Sequence, residues 1–388
     1  MFNFDKEVDR SGTYALKWEW ANSGELPMWV ADMDFETAPA IQEAIIRRAR
    51  HGVYGYTVVP QEFKQAVCSW WNQRHDLSLL PDEVLFSSGV MPTVAAIIHE
   101  FTQKGEKIVL LAPNYNCFYS TIKENEREVY ESNLIYENGT FSIDFADLEQ
   151  KLAHPQTALF IFCNPHNPTG NVWSRNDIAR IGALCKKYGV LVVSDEIHCE
   201  VMKPGIKHVP FAQVNEVCAN LSITAASPSK AFNVAGLQSS YAFTKNKELV
   251  SRLAQRLHID KVAEPNVFAI DSTLAAYQES EAWLDEVNAY IQENKEFVYQ
   301  YIEENIPEIS VVQSDATYLL WLDCSKITDD AKSLQRFLRA EVGLFVTEGA
   351  FYGEAGSAFM RMNVATTRKN VEDGLARMKK GIEAFCAQ

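Results

Sequence analysis

Lys230 lies in a short run whose residue types suit covalent chemistry at an amine, Ser-Pro-Ser-Lys-Ala-Phe-Asn-Val-Ala-Gly over residues 227–236. The run follows a strand-like stretch at residues 220–224, so we expect the lysine just beyond the end of a strand. A lysine whose surroundings lower its pKa forms a Schiff base with a carbonyl compound and can also carry a proton. A lysine in isolation is usually a solvated surface group, so the interpretation depends on what accompanies it.

Two further strand exits carry polar residues. The apolar residues 158–162 read as a buried strand and are followed by Cys-Asn-Pro-His-Asn-Pro-Thr-Gly at 163–170. A second apolar stretch, 190–194, delivers Asp195 at its carboxyl end. Ligands of open parallel sheets bind at the carboxyl ends of strands, where an acid can pair with a protonated pyridine nitrogen. A helix N-cap or a surface carboxylate is the alternative interpretation of Asp195.

These three runs stand in the order and at the approximate spacing of fold-type I pyridoxal-phosphate enzymes, the aspartate aminotransferase superfamily, which the chain resembles over almost its whole length. Within that superfamily the chain is similar to the bacterial cystathionine β-lyase or C–S lyase branch. Residues 26–35 (Leu-Pro-Met-Trp-Val-Ala-Asp-Met-Asp-Phe), 51–56 (His-Gly-Val-Tyr-Gly-Tyr) and 360–363 (Met-Arg-Met-Asn) carry this similarity. The resemblance implies an α/β fold that binds pyridoxal 5'-phosphate.

The pattern of apolar residues predicts the elements that would position these groups. Strands are expected at 84–87, 107–112, 158–162, 190–194, 220–225, 318–323, 344–347 and 359–363, and helices at 37–51, 61–74, 94–101, 176–188 and 369–385, with a long helical region near 245–305. Strands that alternate with helices favour a mostly parallel sheet between helices, followed by a smaller α+β domain. We predict an N-terminal arm at 1–40 that contributes to the small domain, a large domain at 41–285 and a small domain at 286–388.

Composition limits the partners of the protein. The 388 residues carry a net charge of −15, which disfavours nucleic acid and anionic membranes as partners. No apolar run is long enough to span a bilayer, and we expect a cytoplasmic protein. The eight cysteines are scattered without CxxC spacing, so we expect reduced thiols and no metal site.

A phosphate site is predicted where Ser-Ser-Gly-Val-Met, residues 87–91, joins a strand to a helix. Free backbone amides and the dipole at a helix N-terminus attract anions, so Gly89, Val90 and Met91 are assigned to the cofactor phosphate. The hydroxyls of Ser227 and Ser229 are further candidate donors. Many superfamily members have a phosphate-binding arginine shortly after the lysine, whereas this chain has Gln238 in the comparable stretch.

The resemblance also implies roles for residues around the cofactor ring. Tyr115 would stack on the ring, although a core tyrosine is the alternative. Asn167 would donate a hydrogen bond to the ring oxygen, and Asp195 would face the ring nitrogen. His198 stands where aminotransferases often place a tyrosine that contacts the ring oxygen, although a lone histidine is more often structural. Lys230 would form the covalent link to the cofactor.

On the substrate side, Arg361 matches the family's carboxylate-binding arginine, because a guanidinium holds a carboxylate with two parallel hydrogen bonds. A structural salt bridge is the alternative. Tyr56 matches the tyrosine that reaches into the neighbouring subunit's site, which implies a homodimer. Trp29 and Tyr352 are candidate walls for the substrate side chain.

The implied reaction is α,β-elimination of a sulfur amino acid such as L-cystathionine or L-cysteine, which yields pyruvate, ammonia and homocysteine or hydrogen sulfide. An aminotransferase uses the same core residues and remains an alternative, and the similarity of residues 29–34 favours the lyase. A third possibility is a regulatory protein that binds pyridoxal phosphate and acts through a partner. No basic DNA-reading segment precedes residue 40.

Overall fold

The structure, a computed structural model, describes residues 2–387. Its strands are β1 Leu26–Pro27, β2 Val84–Ser87, β3 Lys107–Ala112, β4 Glu128–Asn133, β5 Ile135–Glu137, β6 Thr140–Ser142, β7 Thr157–Cys163, β8 Leu191–Asp195, β9 Ser222–Ala226, β10 Ser240–Phe243, β11 Ser310–Val311, β12 Leu319–Asp323, β13 Leu344–Phe345, β14 Thr347–Glu348 and β15 Phe359–Asn363. Its α-helices are α1 Leu16–Glu19, α2 Pro39–His51, α3 Gln61–His75, α4 Val90–Phe101, α5 Asn116–Glu124, α6 Phe145–Leu152, α7 Arg175–Tyr188, α8 Glu216–Leu221, α9 Lys247–Ile259, α10 Ala269–Glu279, α11 Glu281–Asn305, α12 Ala331–Val342 and α13 Arg368–Cys386.

A seven-stranded sheet in the order β2-β10-β9-β8-β7-β3-β4 forms the centre of the molecule. The neighbouring strands β9, β8, β7, β3 and β4 are parallel, and β10 is antiparallel to both β9 and β2. Side chains alternate across the sheet. Val109 and Phe160 pack with α7 on one face, and Ile108 and Leu159 pack with α4 and α9 on the other. The predicted α/β fold with a mostly parallel sheet between helices is confirmed.

A second, antiparallel sheet in the order β11-β12-β15-β14 packs against α11, α12 and α13. The N-terminal segment joins this part of the molecule, because β1 pairs in parallel with β13 through Leu26 and Leu344. Leu26 and Met28 belong to the same hydrophobic cluster as Val298 and Leu375. The N-terminal segment thus packs with the second sheet, and the predicted division into an arm and two domains stays a prediction. The predicted boundary between residues 285 and 286 falls inside α11 and stays a prediction.

Local sequence predicted β2, β3, β7, β8, β12 and β15 to within a few residues, whereas β4, β5, β6, β10, α5, α6 and α8 were not predicted. Other elements differ in their bounds. Helix α4 begins at Val90 rather than at residue 94, because Gly89 is its N-cap and Pro92 is tolerated in a first helical turn. The predicted helical region near 245–305 is divided into α9, α10 and α11. Residues 220 and 221, predicted as strand, end α8. Within residues 2–387, no helix combines the length and apolar character needed to cross a membrane.

Candidate active site

A cavity of about 240 Å³ lies beyond the carboxyl ends of β7, β8 and β9. Nine of the predicted site residues line it: Gly89, Val90, Met91, Tyr115, Asn167, Asp195, His198, Ser229 and Lys230. The sheet therefore brings together groups from five separate stretches of the chain, as the strand-exit argument predicts. Ser227, Trp29, Tyr352 and Arg361 are not part of this lining, and Tyr56 lies elsewhere.

Lys230 follows β9 in a turn and is half-buried. Its Nζ donates a hydrogen bond of 2.6 Å to the carbonyl oxygen of Ala31 in the N-terminal segment. Burial lowers the pKa of Lys230 to about 8, against the opposing effects of Asp32 and Asp195, and the nearby Arg361 lowers it further. A fraction of this amine is therefore unprotonated near neutral pH, which is the form that acts as nucleophile and base.

Asp195 ends β8 and is buried in the floor of the cavity. Its Oδ1 accepts a hydrogen bond of 3.0 Å from the backbone N–H of Ile197. Burial raises the pKa of Asp195 to about 7, although this hydrogen bond favours the ionised form. A buried carboxylate with a raised pKa is stabilised by a cationic partner, so this position suits a ligand that carries a positive charge.

His198 is buried in the same cavity, with its ring 6.3 Å from that of Tyr318. Burial lowers the pKa of His198 to about 3, and the positive charges of Lys230 and Arg361 act in the same direction. The imidazole is therefore neutral, and its buried Nδ1 has no hydrogen-bond partner. An unpaired buried nitrogen in a cavity wall indicates a polar ligand.

The N-terminus of α4 supplies the anion-binding features that the sequence predicts. Its N-cap is Gly89, and no side chain caps the first turn, so backbone N–H groups face the cavity without a side-chain partner. A Cβ at Gly89 would lie 3.0 Å from Pro92 Cδ, so the glycine keeps this approach open. The Ser227 hydroxyl, in contrast, donates to the Ser239 carbonyl at 2.6 Å. The Ser227 hydroxyl is thus engaged within the protein, whereas Ser229 lines the cavity.

Arg361 in β15 is buried and reaches toward the cavity through Asn167. Its Nη1 donates to Asn167 Oδ1 at 3.1 Å and its Nη2 donates to the Trp29 carbonyl at 2.8 Å. The buried Nε has no hydrogen-bond partner, and no aspartate or glutamate of residues 2–387 forms an ion pair with this guanidinium. A buried cation held only by neutral oxygens is poised to bind an anion.

The aromatic candidates occupy different positions around this cation. The Tyr352 ring is buried, with the guanidinium carbon of Arg361 4.7 Å from its centroid. The Trp29 ring is stacked between Trp20 and Phe345, at centroid distances of 5.2 and 5.1 Å. The Trp29 carbonyl accepts a hydrogen bond from Arg361, whereas its ring does not line this cavity, and its role as a wall for the substrate side chain stays a prediction. Tyr115 does line the cavity, and burial raises the pKa of its hydroxyl.

Tyr56 is fully exposed in the single chain. It lines a separate, open cavity of about 780 Å³ that is formed by residues 54–57 and 264–267. Val53, Tyr54 and Val58 of the same segment are exposed as well. The structure therefore does not bring Tyr56 to the Lys230 cavity of its own chain.

The sequence interpretation missed the backbone oxygen that contacts Lys230 and the acid that acts on its pKa. The Ala31 carbonyl oxygen accepts a hydrogen bond from Lys230 Nζ. Asp32 is the first of the charges that oppose the effect of burial on the pKa of Lys230. The signal was present, because the family-like run 26–35 includes both residues, but only Trp29 was assigned a role. A carbonyl oxygen has no residue-type signature, so a sequence pattern does not reveal it.

A group of potential metal ligands lies outside the cavity. Ligand atoms of His75, Cys199 and Glu200, all buried, are within 4.8 Å of one another. Glu200 Oε1 is already paired, at 2.6 Å, with both His75 Nε2 and the Trp70 indole nitrogen. We interpret this group as a buried hydrogen-bonded cluster.

Fold and site together define an α/β enzyme in which a lysine at a strand exit, a buried acid and a helix N-terminus line one cavity. A family model for aminotransferase class I and II matches residues 26–378. The chain belongs to this family, as the sequence motifs predict.

Three proteins are similar to this chain over almost their whole length. Cystathionine beta-lyase PatB of Bacillus subtilis (strain 168) is 40% identical over 389 residues, which cover 98% of this chain and 100% of PatB. The structure of cystalysin from Treponema denticola contains a pyridoxal 5'-phosphate cofactor and aligns with a TM-score of 0.96 at 29% identity, covering 99% of both chains. The PLP-bound C–S lyase from Staphylococcus hominis aligns with a TM-score of 0.93 at 31% identity, covering 98% of both chains.

Proposed function

We propose that the protein is a pyridoxal-phosphate-dependent carbon–sulfur β-lyase that eliminates the thiol from a sulfur amino acid such as L-cystathionine or L-cysteine. The observation that carries this proposal is one cavity in which the Lys230 amine, the Asp195 carboxyl group and the N-terminus of α4 meet. Similarity to proteins named as cystathionine β-lyases and C–S lyases supports the reaction class.

The residues present fit the proposed cofactor. Lys230 would bind its aldehyde carbon, Asp195 its protonated ring nitrogen, and the amides of residues 89–91 with Ser229 its phosphate. The buried Nδ1 of His198 has no hydrogen-bond partner in the protein, and the ring oxygen of the cofactor would supply one. Tyr115 would cover one face of the ring, and Asn167 is the second candidate for the ring oxygen. When bound, pyridoxal phosphate withdraws electrons from the α-carbon of an amino acid, which elimination requires.

Arg361 would orient the substrate. The Trp29 carbonyl and Asn167 hold its guanidinium at 2.8 and 3.1 Å while its Nε stays unpaired. A substrate carboxylate that binds here meets a cation already desolvated and oriented, so little reorganisation is needed on binding. Tyr352 beneath the guanidinium restricts its position further.

Lys230 would move the α-proton. Its pKa of about 8 leaves part of the amine neutral near pH 7, so it can accept the proton from the substrate's α-carbon. Tyr115 and His198 line the same cavity as Lys230, so a bound cofactor and substrate would shield this exchange from water. Loss of the α-proton and of the β-thiolate leaves a three-carbon fragment whose hydrolysis gives pyruvate and ammonia, so atoms balance with one water consumed.

The active unit is, in this proposal, a homodimer in which Tyr56 contributes to the neighbouring site. Exposure of Tyr56 together with Val53, Tyr54 and Val58 supports it, because several large side chains then become covered on association. The chain also offers no arginine at Gln238, so a second subunit's tyrosine would add a donor near the phosphate.

An aminotransferase is the competing function, since the family name covers that chemistry. The test incubates purified protein with L-cystathionine or L-cysteine without added keto acid and measures pyruvate and thiol. Continuous turnover supports the lyase, and turnover only with a keto-acid acceptor contradicts it. Borohydride treatment followed by peptide mass spectrometry is expected to find the cofactor on Lys230. A Lys230→Ala variant should show neither the adduct nor elimination.

A further inference from the structure

Glu196, the residue that follows Asp195, carries a carboxylate that is completely buried. Its Oε1 accepts hydrogen bonds from the Ser194 hydroxyl at 2.8 Å and from the Phe211 N–H at 3.0 Å. Its Oε2 lies 2.6 Å from Nε2 of His208, which is also buried. An ionised carboxylate only accepts hydrogen bonds, so Nε2 of His208 carries the hydrogen. Three donors on a buried carboxylate offset much of the free energy that its desolvation costs.

The two neighbouring acids at the end of β8 differ in the hydrogen bonds that they accept. Among residues 2–387, the Asp195 carboxylate accepts a hydrogen bond only from the Ile197 N–H, at 3.0 Å on Oδ1. Asp195 lines the cavity, whereas Glu196 does not. The hydrogen-bonding capacity of Glu196 is therefore used within the protein, and Asp195 keeps acceptor capacity for a ligand.

The contacts of Glu196 reach Asp195 through one peptide group. The N–H that orients Asp195 Oδ1 belongs to the peptide between Glu196 and Ile197. The Glu196 N–H donates to the Ala225 carbonyl at 2.9 Å, and the Glu196 carbonyl accepts from the Cys199 N–H at 3.0 Å. Because the backbone and the side chain of Glu196 are both held, this peptide group has a defined direction.

We propose that His208 is a positioning residue for Asp195 and acts through Glu196. By donating to Glu196 Oε2, His208 holds the first residue of the turn after β8 and keeps the N–H of the next peptide directed at the Asp195 carboxylate. The role rests on the proposed function only in taking Asp195 as the acid that meets the protonated ring nitrogen of pyridoxal phosphate. A displaced Asp195 would lose that contact, while the other contacts of the cofactor remain.

A second buried pair of the same kind supplies a matched control. Glu200 Oε1 lies 2.6 Å from Nε2 of His75, and the rings of His75 and His208 are 5.4 Å apart. The two pairs therefore occupy the same region of the protein core. Glu200 Oε1 also accepts from the Trp70 indole N–H at 2.6 Å, so this pair holds α3 and not the peptide that orients Asp195. Loss of His75 thus perturbs the same core without the link to Asp195.

The test compares the affinity for pyridoxal phosphate with the affinity for an analogue in which a C–H group replaces the ring nitrogen. Both dissociation constants are measured by equilibrium dialysis, so that no turnover is needed. The ring of the analogue has no N–H to donate to Asp195, and wild type should bind it at least about tenfold more weakly, the effect of one charge-assisted hydrogen bond. In His208→Leu the two affinities should become nearly equal, because Asp195 is no longer held in place.

Further variants make the result specific. His208→Gln keeps an N–H donor for Glu196 and should retain most of the preference for pyridoxal phosphate. His75→Leu removes the imidazole of the other pair and should keep the wild-type preference, even where stability or both affinities fall. Should His208→Leu not fold, His208→Asn takes its place, because its amide keeps the site polar and is too short to reach Glu196.

Two failures can be told apart by the behaviour of wild type. If wild type prefers pyridoxal phosphate and the His208 variant without a donor keeps that preference, or if His75→Leu loses it equally, the positioning role is overturned and the proposed function stands. If wild type binds neither compound, the proposed function is overturned and the positioning role with it. If wild type binds both compounds equally, Asp195 does not meet the ring nitrogen, which also overturns the role of His208.

Discussion

Replacement of Arg361 by methionine tests the substrate side of the site most directly. The side chain is buried, donates only to Asn167 Oδ1 and the Trp29 carbonyl, and has an unpaired Nε. Methionine keeps most of the volume and removes the charge. The change therefore separates binding of a carboxylate from packing against Tyr352.

The expected magnitude follows from the contacts that a carboxylate would gain. A hydrogen bond between charged groups contributes about 1.5–3 kcal/mol, so a bidentate pair contributes about 3–6 kcal/mol. Since each 1.4 kcal/mol corresponds to a factor of about ten, kcat/KM should fall by about 10²–10⁴. The free energy of unfolding should change by less than about 2 kcal/mol, because the two lost hydrogen bonds are offset by removal of a desolvated cation.

The assay compares kcat/KM for L-cystathionine, measured as pyruvate release, in wild type and Arg361→Met. Inhibition by cysteamine, which lacks the carboxylate, should be equal in the two proteins. Arg127→Met is a matched control, because Arg127 is also buried and donates to the neutral oxygens of Thr102 and Asn125, and none of these residues lines the cavity. It should lose stability and keep kcat/KM. An Arg361→Met enzyme within threefold of wild type would refute the assignment.

Three further experiments test other parts of the site. Burial raises the pKa of Asp195 to about 7, so its ionised form destabilises the apoprotein above that pH. Asp195→Asn should therefore raise the free energy of unfolding of the apoprotein in urea titrations above pH 7. The difference in this free energy between variant and wild type should vanish as the pH falls toward 3.8, the ordinary pKa of an aspartate. A difference that stays constant with pH would contradict this. Gly89→Ala places a Cβ 3.0 Å from Pro92 Cδ, so the dissociation constant of pyridoxal phosphate in equilibrium dialysis should rise at least several-fold, and unchanged affinity would argue against this phosphate site. Tyr56→Ala and Lys230→Ala subunits, each inactive alone, should regain activity when mixed if Tyr56 crosses between subunits, whereas an inactive mixture contradicts the crossing.

Local patterns predicted the elements that hold the site because their signals are short-range. Alternating and continuous apolar runs identified β3, β7 and β8, and Gly89 marked the start of a helix even though its first turn was missed. Residue type also indicated Lys230 and Asp195 at strand exits. The role of Trp29 could not be predicted this way, because stacking against Trp20 and Phe345 depends on three distant stretches of chain.

The sequence by itself determined the chemical groups, their order and the strand ends that carry them, since these depend on neighbours along the chain. Only the tertiary structure decided which groups meet: the Ala31 carbonyl contacts an amine 199 residues away, and Asn167 contacts Arg361 across 194 residues. Backbone oxygens have no residue identity, and burial shifts the pKa of Lys230 and Asp195 only once the folded chain encloses them. Packing therefore converts a correct set of residues into a site with defined protonation states.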